Sequence, residues 1–113
     1  MNKYFKLAHL HALKDISSFK RYYFGAIGIR NDGRIVHSTN LRNPDATINC
    51  HAETRLCSKL DKDSEVYVLR TNRNGSRILL ARPCNGCQNK MKATGVKKVY
   101  YSISNNEFGQ IEF

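Results

Sequence analysis

The chain has 113 residues, of which 41% are hydrophobic and 25% charged, which is typical of a soluble globular protein with one domain over 1–113. No apolar run has the length of a membrane helix and no apolar block follows the N-terminus, so neither a membrane partner nor secretion is expected. The net charge of +10 suggests a polyanionic partner or a phosphorylated substrate, although a solvated surface rich in lysine gives the same charge.

The first half of the chain predicts a helix followed by a pair of strands. Apolar residues recur at helical spacing over 2–18, which predicts an amphipathic helix. Aromatic and β-branched residues predict a strand over 22–30, and Asn31-Asp32-Gly33 is typical of a hairpin turn. A second strand is expected over 34–38, followed by a loop over 40–49.

The second half predicts helices that alternate with strands. Pro83 suits the first turn of a helix, and Gly95 suits its end, because glycine adopts the left-handed conformation that often follows a helix. In chain order, the expected elements are a helix over 51–60, a strand over 65–71, a turn over 73–76, a short apolar stretch over 78–81, a helix over 83–94, a strand over 96–102 and a last short strand over 110–113.

Two short motifs contain the residue types of a zinc site. His51-Ala52-Glu53 supplies an imidazole and a carboxylate, and Pro83-Cys84-Asn85-Gly86-Cys87 supplies two thiols. Tetrahedral zinc has four positions, so one histidine and two cysteines leave the fourth position for water, as in a catalytic site. The sequence therefore predicts one Zn²⁺ per chain, with His51, Cys84 and Cys87 as its ligands.

The two motifs are each expected to open a helix. With Pro83 in the first helical turn, Cys84 and Cys87 lie about one turn apart on the same face. The positive end of the helix dipole then favours both thiolates, as metal ligation requires. The same argument applies to His51 if Asn49 caps the helix that follows it.

The order H-x-E followed by P-C-x-x-C is the signature of zinc-dependent base deaminases. On these residues the chain resembles the cytidine deaminase-like superfamily. The resemblance extends to Phe24-Gly25-Ala26-Ile27-Gly28, which is similar to the family's first strand, and to the glycine-led strand over 95–101. It implies an α/β fold, a three-layer α/β/α sandwich in which a central mixed sheet of about five strands is covered by helices.

The resemblance also implies roles for individual residues. Zinc lowers the pKa of a bound water from about 15.7 to about 7. Glu53 would take the proton of that water, protonate the ring nitrogen and pass a proton to the departing ammonia. Asn40 matches an asparagine that contacts the base or the sugar in many members. Asn40 and Ala52 are therefore the expected substrate-binding residues.

The spacing of the cysteines bears on two other interpretations of the C-x-x-C motif. A single C-x-x-C is also found in redox pairs and in four-cysteine zinc ribbons. A ribbon needs a second such pair, and Cys50 and Cys57 are seven residues apart, a spacing that favours packing on one helix face. With two thiols assigned to zinc, a reducing cytoplasmic compartment is expected, including that of a host cell if the protein is encoded by a virus.

Departures from the family pattern bear on the substrate. His51 stands where nucleoside-level cytidine deaminases usually have cysteine, and the further motifs of deoxycytidylate deaminases are not found over 40–50. Arg82 replaces the glutamate of the Glu-Pro-Cys motif in tRNA adenosine deaminases, and the chain is as short as compact phage-encoded members. The segment over 72–82 is longer than usual and predicts an extra ribbon near the mouth of the site.

The predicted function is hydrolytic deamination of cytosine to uracil in a free (deoxy)cytidine nucleotide such as dCMP. Basic residues around the cysteine motif are candidates for holding its phosphate: Arg77, Arg82, Lys90 and Lys92. The net charge keeps open a polynucleotide base deaminase that acts on cytosine or adenine in single-stranded DNA or RNA. A catalytically silent, zinc-stabilised nucleic-acid-binding module is the third alternative. A homo-oligomer is expected.

Overall fold

A mixed β-sheet with helices packed on it forms the part of the chain that the computed structural model describes, residues 2–13, 22–39, 56–72 and 76–113. In chain order the elements are α1 (Lys3–Leu13), β1 (Tyr22–Ile29), β2 (Ile35–Thr39), a short 3-10 helix (Cys57–Lys59), β3 (Glu65–Asn72), β4 (Ile78–Leu79), α2 (Asn85–Thr94), β5 (Lys98–Ser102) and β6 (Phe108–Glu112). None of the helices in these ranges is long and apolar enough to cross a membrane.

The sheet has the strand order β2-β1-β3-β5-β6, and β4 pairs with β3. Strands β3 and β5 are parallel, with α2 in the connection between them, and the other neighbouring strands are antiparallel. Strand β5 pairs with the first half of β3, whereas β4 pairs with Arg70 and Thr71 near its end. The carboxyl ends of β3 and β5 therefore lie next to β4, at one end of the sheet. This confirms the predicted mixed-sheet α/β fold.

The turn between β1 and β2 forms where the sequence predicts it. Gly33 has a φ of +87°, a conformation that residues with a Cβ atom rarely adopt. The backbone N–H of Arg34 donates to Oδ1 of Asp32 at 3.0 Å. This hydrogen bond is the main reason that the pKa of the Asp32 carboxyl lies below its usual value. The turn fixes a register in which Ile29 faces Ile35.

Helix α1 covers one face of the sheet at very short range. Its residues Phe5, Ala8 and Ala12 are buried. A Cβ atom on Gly25 of β1 would overlap the carbonyl oxygen of Ala8 and lie 2.8 Å from the backbone nitrogen of Ala12. The predicted amphipathic helix is confirmed over Lys3–Leu13, and the rest of its range lies outside the described residues.

The opposite face of the sheet packs against α2 and the segment around the short 3-10 helix. Leu56 and Met91 are fully buried there. The core cluster on this side consists of Ala26, Leu56, Cys57, Val66, Val68, Ala81, Cys87, Met91, Val96, Val99 and Tyr101. Cys57 is thus part of the core, as predicted. Of the helix predicted over 51–60, only the final residues are described, and they form the 3-10 turn.

The beginning of α2 differs from the prediction. The helix starts at Asn85, and Cys84 is its N-cap, with the extended angles φ −67° and ψ 166°. The first helical hydrogen bond runs from the Gln88 N–H to the Cys84 carbonyl at 2.9 Å. Pro83 therefore precedes the cap instead of occupying the first turn, which corrects the predicted start. The predicted end is confirmed, because Gly95 follows Thr94 with a φ of +99°.

Candidate active site

Two thiols meet where α2 begins. The Sγ atoms of Cys84 and Cys87 are 3.4 Å apart. Cys84 is exposed, whereas Cys87 is 4% exposed and packs in the core beneath the helix. The cap position and the position three residues later lie on the same side of a helix start, so the pair forms although Cys84 lies outside the helix proper.

The separation of the two sulfur atoms suits a shared metal ion. A disulfide bond is about 2.05 Å long, so the 3.4 Å separation is that of two thiols in contact. Two sulfurs bound to one tetrahedral zinc at about 2.3 Å each would lie about 3.8 Å apart. A movement of a few tenths of an ångström would bring the pair to that spacing. The two cysteines thus fit two of the four positions around zinc.

The two sulfur atoms lie at a helix terminus. They lie at the amino end of α2, where unpaired backbone N–H groups give a partial positive charge. The first turn of α2 contains no acidic residue, and its last turn carries Lys92.

Gln88 supports the segment that carries Cys84, and the sequence analysis missed it. Its side-chain Nε2 donates to the Pro83 carbonyl at 2.8 Å, and its backbone N–H donates to the Cys84 carbonyl. One residue thus fixes both peptide groups before the helix. The signal in the sequence was weak, because a glutamine one position after C-x-x-C is compatible with any helix.

Two arginine side chains have contacts near the segment that precedes the cysteines. The Arg82 guanidinium lies 5.9 Å from the ring centroid of Tyr101, and its Nη1 donates to the Tyr101 hydroxyl at 3.4 Å. Arg70 donates from Nη1 to the Leu80 carbonyl at 3.4 Å and lies over the ring of Phe24. Arg82 is exposed, so its predicted role as a phosphate ligand is sterically possible.

The other predicted site residues, Asn40, His51, Ala52 and Glu53, lie outside the described residues. Within residues 2–13, 22–39, 56–72 and 76–113, no group of three or more His, Cys, Asp or Glu side chains could hold a metal ion. The described part of the chain therefore contains two of the three predicted ligands, Cys84 and Cys87. The histidine ligand, the acid–base glutamate and the substrate contacts stay predictions.

A mixed α/β sheet with paired thiols at the start of its crossover helix defines a class of α/β domains that can bind zinc through cysteine. Residues 1–103 match the family described as the cytidine and deoxycytidylate deaminase zinc-binding region. The chain belongs to this family and thus to the cytidine deaminase-like superfamily, as the resemblance predicts. Among curated proteins, no sequence matches it significantly.

Solved structures with the same fold include cytidine deaminases from three bacteria. The enzyme from Burkholderia pseudomallei has a TM-score of 0.75 at 17% identity, over 99% of this chain and 93% of that one. The enzyme from Mycobacterium leprae has a TM-score of 0.60 at 18% identity, over 93% and 87% of the two chains. The enzyme from Mycobacterium tuberculosis has a TM-score of 0.58 at 20% identity, over 84% and 77%. At these identities the similarity establishes the fold.

Proposed function

We propose that the protein is a zinc-dependent hydrolase that converts cytosine to uracil in a free (deoxy)cytidine nucleotide such as dCMP. The observation that carries this proposal is the pair of thiols, 3.4 Å apart at the start of α2. The pair lies within the 1–103 segment that belongs to the deaminase family.

The residues of the chain fit the zinc ion that this chemistry needs. Cys84 and Cys87 would hold one Zn²⁺ per chain together with His51. When bound, zinc makes water available as a nucleophile at neutral pH. Burial of Cys87 in the core and the two hydrogen bonds of Gln88 keep the thiol pair in place, so that ligand geometry does not have to form anew in each turnover.

The proposed acid–base steps belong to Glu53. Its carboxylate would accept a proton from water, deliver one to the ring nitrogen and later one to the leaving amine. Asn40 and Ala52 would orient the base so that its amino-bearing carbon faces the reacting water. Each of these roles rests on the match of the residue to the family motif.

A phosphate on the substrate is supported by the charge near the cysteines. Arg82 is exposed and immediately precedes Pro83, and a guanidinium binds a phosphate through paired hydrogen bonds. A nucleoside lacks this group. We therefore expect dCMP to be deaminated with a higher kcat/KM than cytidine, and Arg82→Ala to raise the KM for dCMP while leaving that for cytidine nearly unchanged.

Two other functions remain to be separated from this one. A polynucleotide base deaminase acting on cytosine or adenine in single-stranded DNA or RNA is favoured by the net charge of +10. A catalytically silent zinc-stabilised nucleic-acid-binding module would use the same charge without chemistry. Counterion release would weaken binding to single-stranded DNA or RNA as the salt concentration rises. The logarithm of the binding constant would fall with the logarithm of the salt concentration, with a slope near −0.7 per phosphate contact.

One assay panel separates the three functions. Zinc-loaded protein is assayed with dCMP, CMP, cytidine and short single-stranded oligonucleotides, alongside Glu53→Ala and the exposed-acid control Glu107→Ala. The proposal expects highest efficiency with dCMP, a loss of about 10²–10⁴ or more in Glu53→Ala, and normal activity in Glu107→Ala. Deamination of oligonucleotides alone would assign the polynucleotide function, and binding without any turnover would assign the silent module.

We also propose that the single domain over 1–113 forms a homo-oligomer and works in a reducing cytoplasmic compartment. Sedimentation equilibrium of the zinc-loaded protein tests the first proposal, and a mass equal to that of one chain at all concentrations would overturn it. The second rests on the assignment of Cys84 and Cys87 to zinc, which requires both thiols to be reduced.

A further inference from the structure

A cleft unrelated to the cysteine pair opens between β4 and the turn that joins β5 to β6. Its volume is about 470 Å³. Neither Cys84 nor Cys87 lines it. Its walls are formed by Arg77, Ile78, Leu79, Leu80, Ile103, Ser104, Asn105 and Asn106. The cleft thus lies beside β4, in the segment over 72–82 that is predicted as an extra ribbon, and the proposed deamination gives it no role.

Hydrogen bonds across the cleft hold its two walls together. The Ile78 N–H donates to Oδ1 of Asn105 at 2.7 Å, and the Ser102 hydroxyl donates to the Leu79 carbonyl at 2.7 Å. The turn itself is closed by a bond from the Ile103 N–H to the Glu107 carbonyl at 2.9 Å. A cleft with fixed walls binds a ligand at a lower entropic cost than one that must be ordered first.

The charge on the cleft is positive. Arg77 is exposed, and among the described residues its guanidinium forms no ion pair. Among the described residues, no acidic side chain lines the cleft. Since Oδ1 of Asn105 is already used as an acceptor, the side-chain N–H groups of Asn105 remain as donors. An anion is the ligand that a guanidinium and amide donors favour.

Apolar surface accompanies this charge. Leu80 is 51% exposed and Ile103 is 36% exposed, and both line the cleft. Exposed apolar side chains beside convergent polar groups are typical of binding sites. The volume falls within the range of about 300–1,000 Å³ that small-molecule sites occupy, which is more than a phosphate ion needs. The ligand therefore combines an anionic group with a flat or apolar body.

We propose that this cleft binds a nucleoside phosphate, with the phosphate on Arg77 and the base against Leu80 and Ile103. The same chemistry is presented by a free nucleotide and by one nucleotide of a single strand. This binding goes beyond the proposed deamination and does not require it, because the substrate phosphate of that reaction is assigned to Arg82 and not to Arg77.

The test measures binding locally, by backbone amide NMR shifts in the intact zinc-loaded protein. The probes are dUMP, uridine, inorganic phosphate and a short oligothymidylate, none of which contains cytosine. The backbone amide signals of Ile78, Ser104 and Asn106 should shift when dUMP binds. Titration of the same signals should give an affinity about tenfold lower for uridine or for phosphate alone. A tenfold loss corresponds to about 1.4 kcal/mol, the size of one charge-assisted hydrogen bond.

The matched variants are Arg77→Ala and Arg34→Ala, since Arg34 is an exposed arginine in the β1–β2 turn. Arg77→Ala should weaken binding of dUMP at these amides about tenfold, and Arg34→Ala should leave it unchanged. If the oligothymidylate binds more tightly than dUMP and with a steep salt dependence, the ligand of the cleft is a nucleotide within a single strand. If it binds equally or more weakly, the ligand is the free nucleotide.

The proposal is overturned if these amides do not shift at millimolar dUMP, if phosphate alone binds as tightly as dUMP, or if the two arginine variants behave alike. The spectrum also reports whether each variant is folded. Since binding is read without turnover, an inactive protein leaves this test valid, and an unoccupied cleft leaves the proposed deamination standing.

Discussion

Helices α1 and α2 cover opposite faces of the same sheet, and they do so with different kinds of contact. Helix α1 brings its backbone against β1, with Ala8 and Ala12 over Gly25. Helix α2 packs through the longer side chains of Cys87 and Met91. The first arrangement leaves no room for a functional group between helix and sheet. The second places a thiol at the boundary between core and surface.

The surroundings of the two helices extend this contrast. On the α1 face the rings of Tyr67 and Tyr100 stack with centroids 4.5 Å apart, and Phe5 lies 4.4 Å from Phe108. Such aromatic contacts add stability without reactive groups. On the α2 face the cysteines lie at the amino end of the helix. One side of the sheet therefore contributes aromatic packing, and the other also carries the two thiols.

The largest effect is expected where α1 touches the sheet. A Cβ atom in Gly25→Ala would meet backbone atoms of α1, which cannot move aside as a side chain can. Overpacking of this kind should lower the free energy of unfolding by about 3 kcal/mol. Urea denaturation measures the loss, and the zinc content of the remaining folded protein should stay at one per chain.

Gly86→Ala is the matched control on the α2 face. The nearest atom to its Cβ would be Sγ of Cys84 at 3.9 Å, an ordinary contact. Alanine also favours the helix more than glycine does, so stability should be unchanged or slightly higher. Equal destabilisation by the two substitutions would contradict the contrast between the faces.

Met91→Ala weakens the packing beneath the thiols. Met91 is fully buried, and deletion of such a side chain costs about 2–3 kcal/mol through lost burial and the cavity that remains. Unlike Gly25→Ala, this change should also weaken zinc binding, because Cys87 belongs to the same core cluster. Competition with a zinc chelator checks this, with Met91→Leu as the volume-conserving control. Unchanged zinc affinity in Met91→Ala would contradict the expected dependence of zinc binding on core packing.

A smaller effect is expected at alkaline pH on the α1 face. Burial, and next the neighbouring Tyr100, raise the pKa of Tyr67 above its usual value of 10.0. The neutral phenol is favoured in the folded state. Its contribution to the free energy of unfolding is therefore complete below about pH 10 and declines as the pH rises toward the pKa of the folded state. Tyr67→Phe should lose less stability than the native protein between about pH 9 and pH 11.

Lys98 provides the comparison for this measurement. Its hydrogen bond to Glu112 raises the pKa of the ammonium group, so the pair also loses stability as pH rises above the ordinary lysine value. Because this pair is exposed on the Glu112 side, Lys98→Gln should change the alkaline profile less than Tyr67→Phe does. A larger change in Lys98→Gln would show that the ion pair dominates.

Local signals predicted most of the elements correctly. Gly33 and Gly95 mark the hairpin turn and the end of α2 because both adopt positive φ. The strand predicted over 65–71 is observed at nearly the same bounds, Glu65–Asn72. In contrast, the pairing of β4 with the end of β3 depends on contacts between distant segments, such as the Ser102 hydroxyl on Leu79. No periodicity in the sequence encodes such a contact.

The site was predicted from residue types, and its details depend on the fold. The C-x-x-C spacing identified the thiol pair, but the position of Cys84 as the cap is set by its extended backbone. Gln88 and the cleft beside β4 depend on where carbonyl groups and turns lie in three dimensions. Sequence motifs therefore identify the reactive groups and leave their support to the structure.

The most direct test of this account is the zinc content of the intact protein and of the variant with both Cys84→Ala and Cys87→Ala, purified alike and measured by elemental analysis. The account predicts one zinc per chain in the native protein and none in the double variant. Cys57→Ala, which removes a buried thiol of the same core, should retain full occupancy. Full zinc occupancy in the Cys84/Cys87 double variant would contradict the assignment of the start of α2 as the metal site.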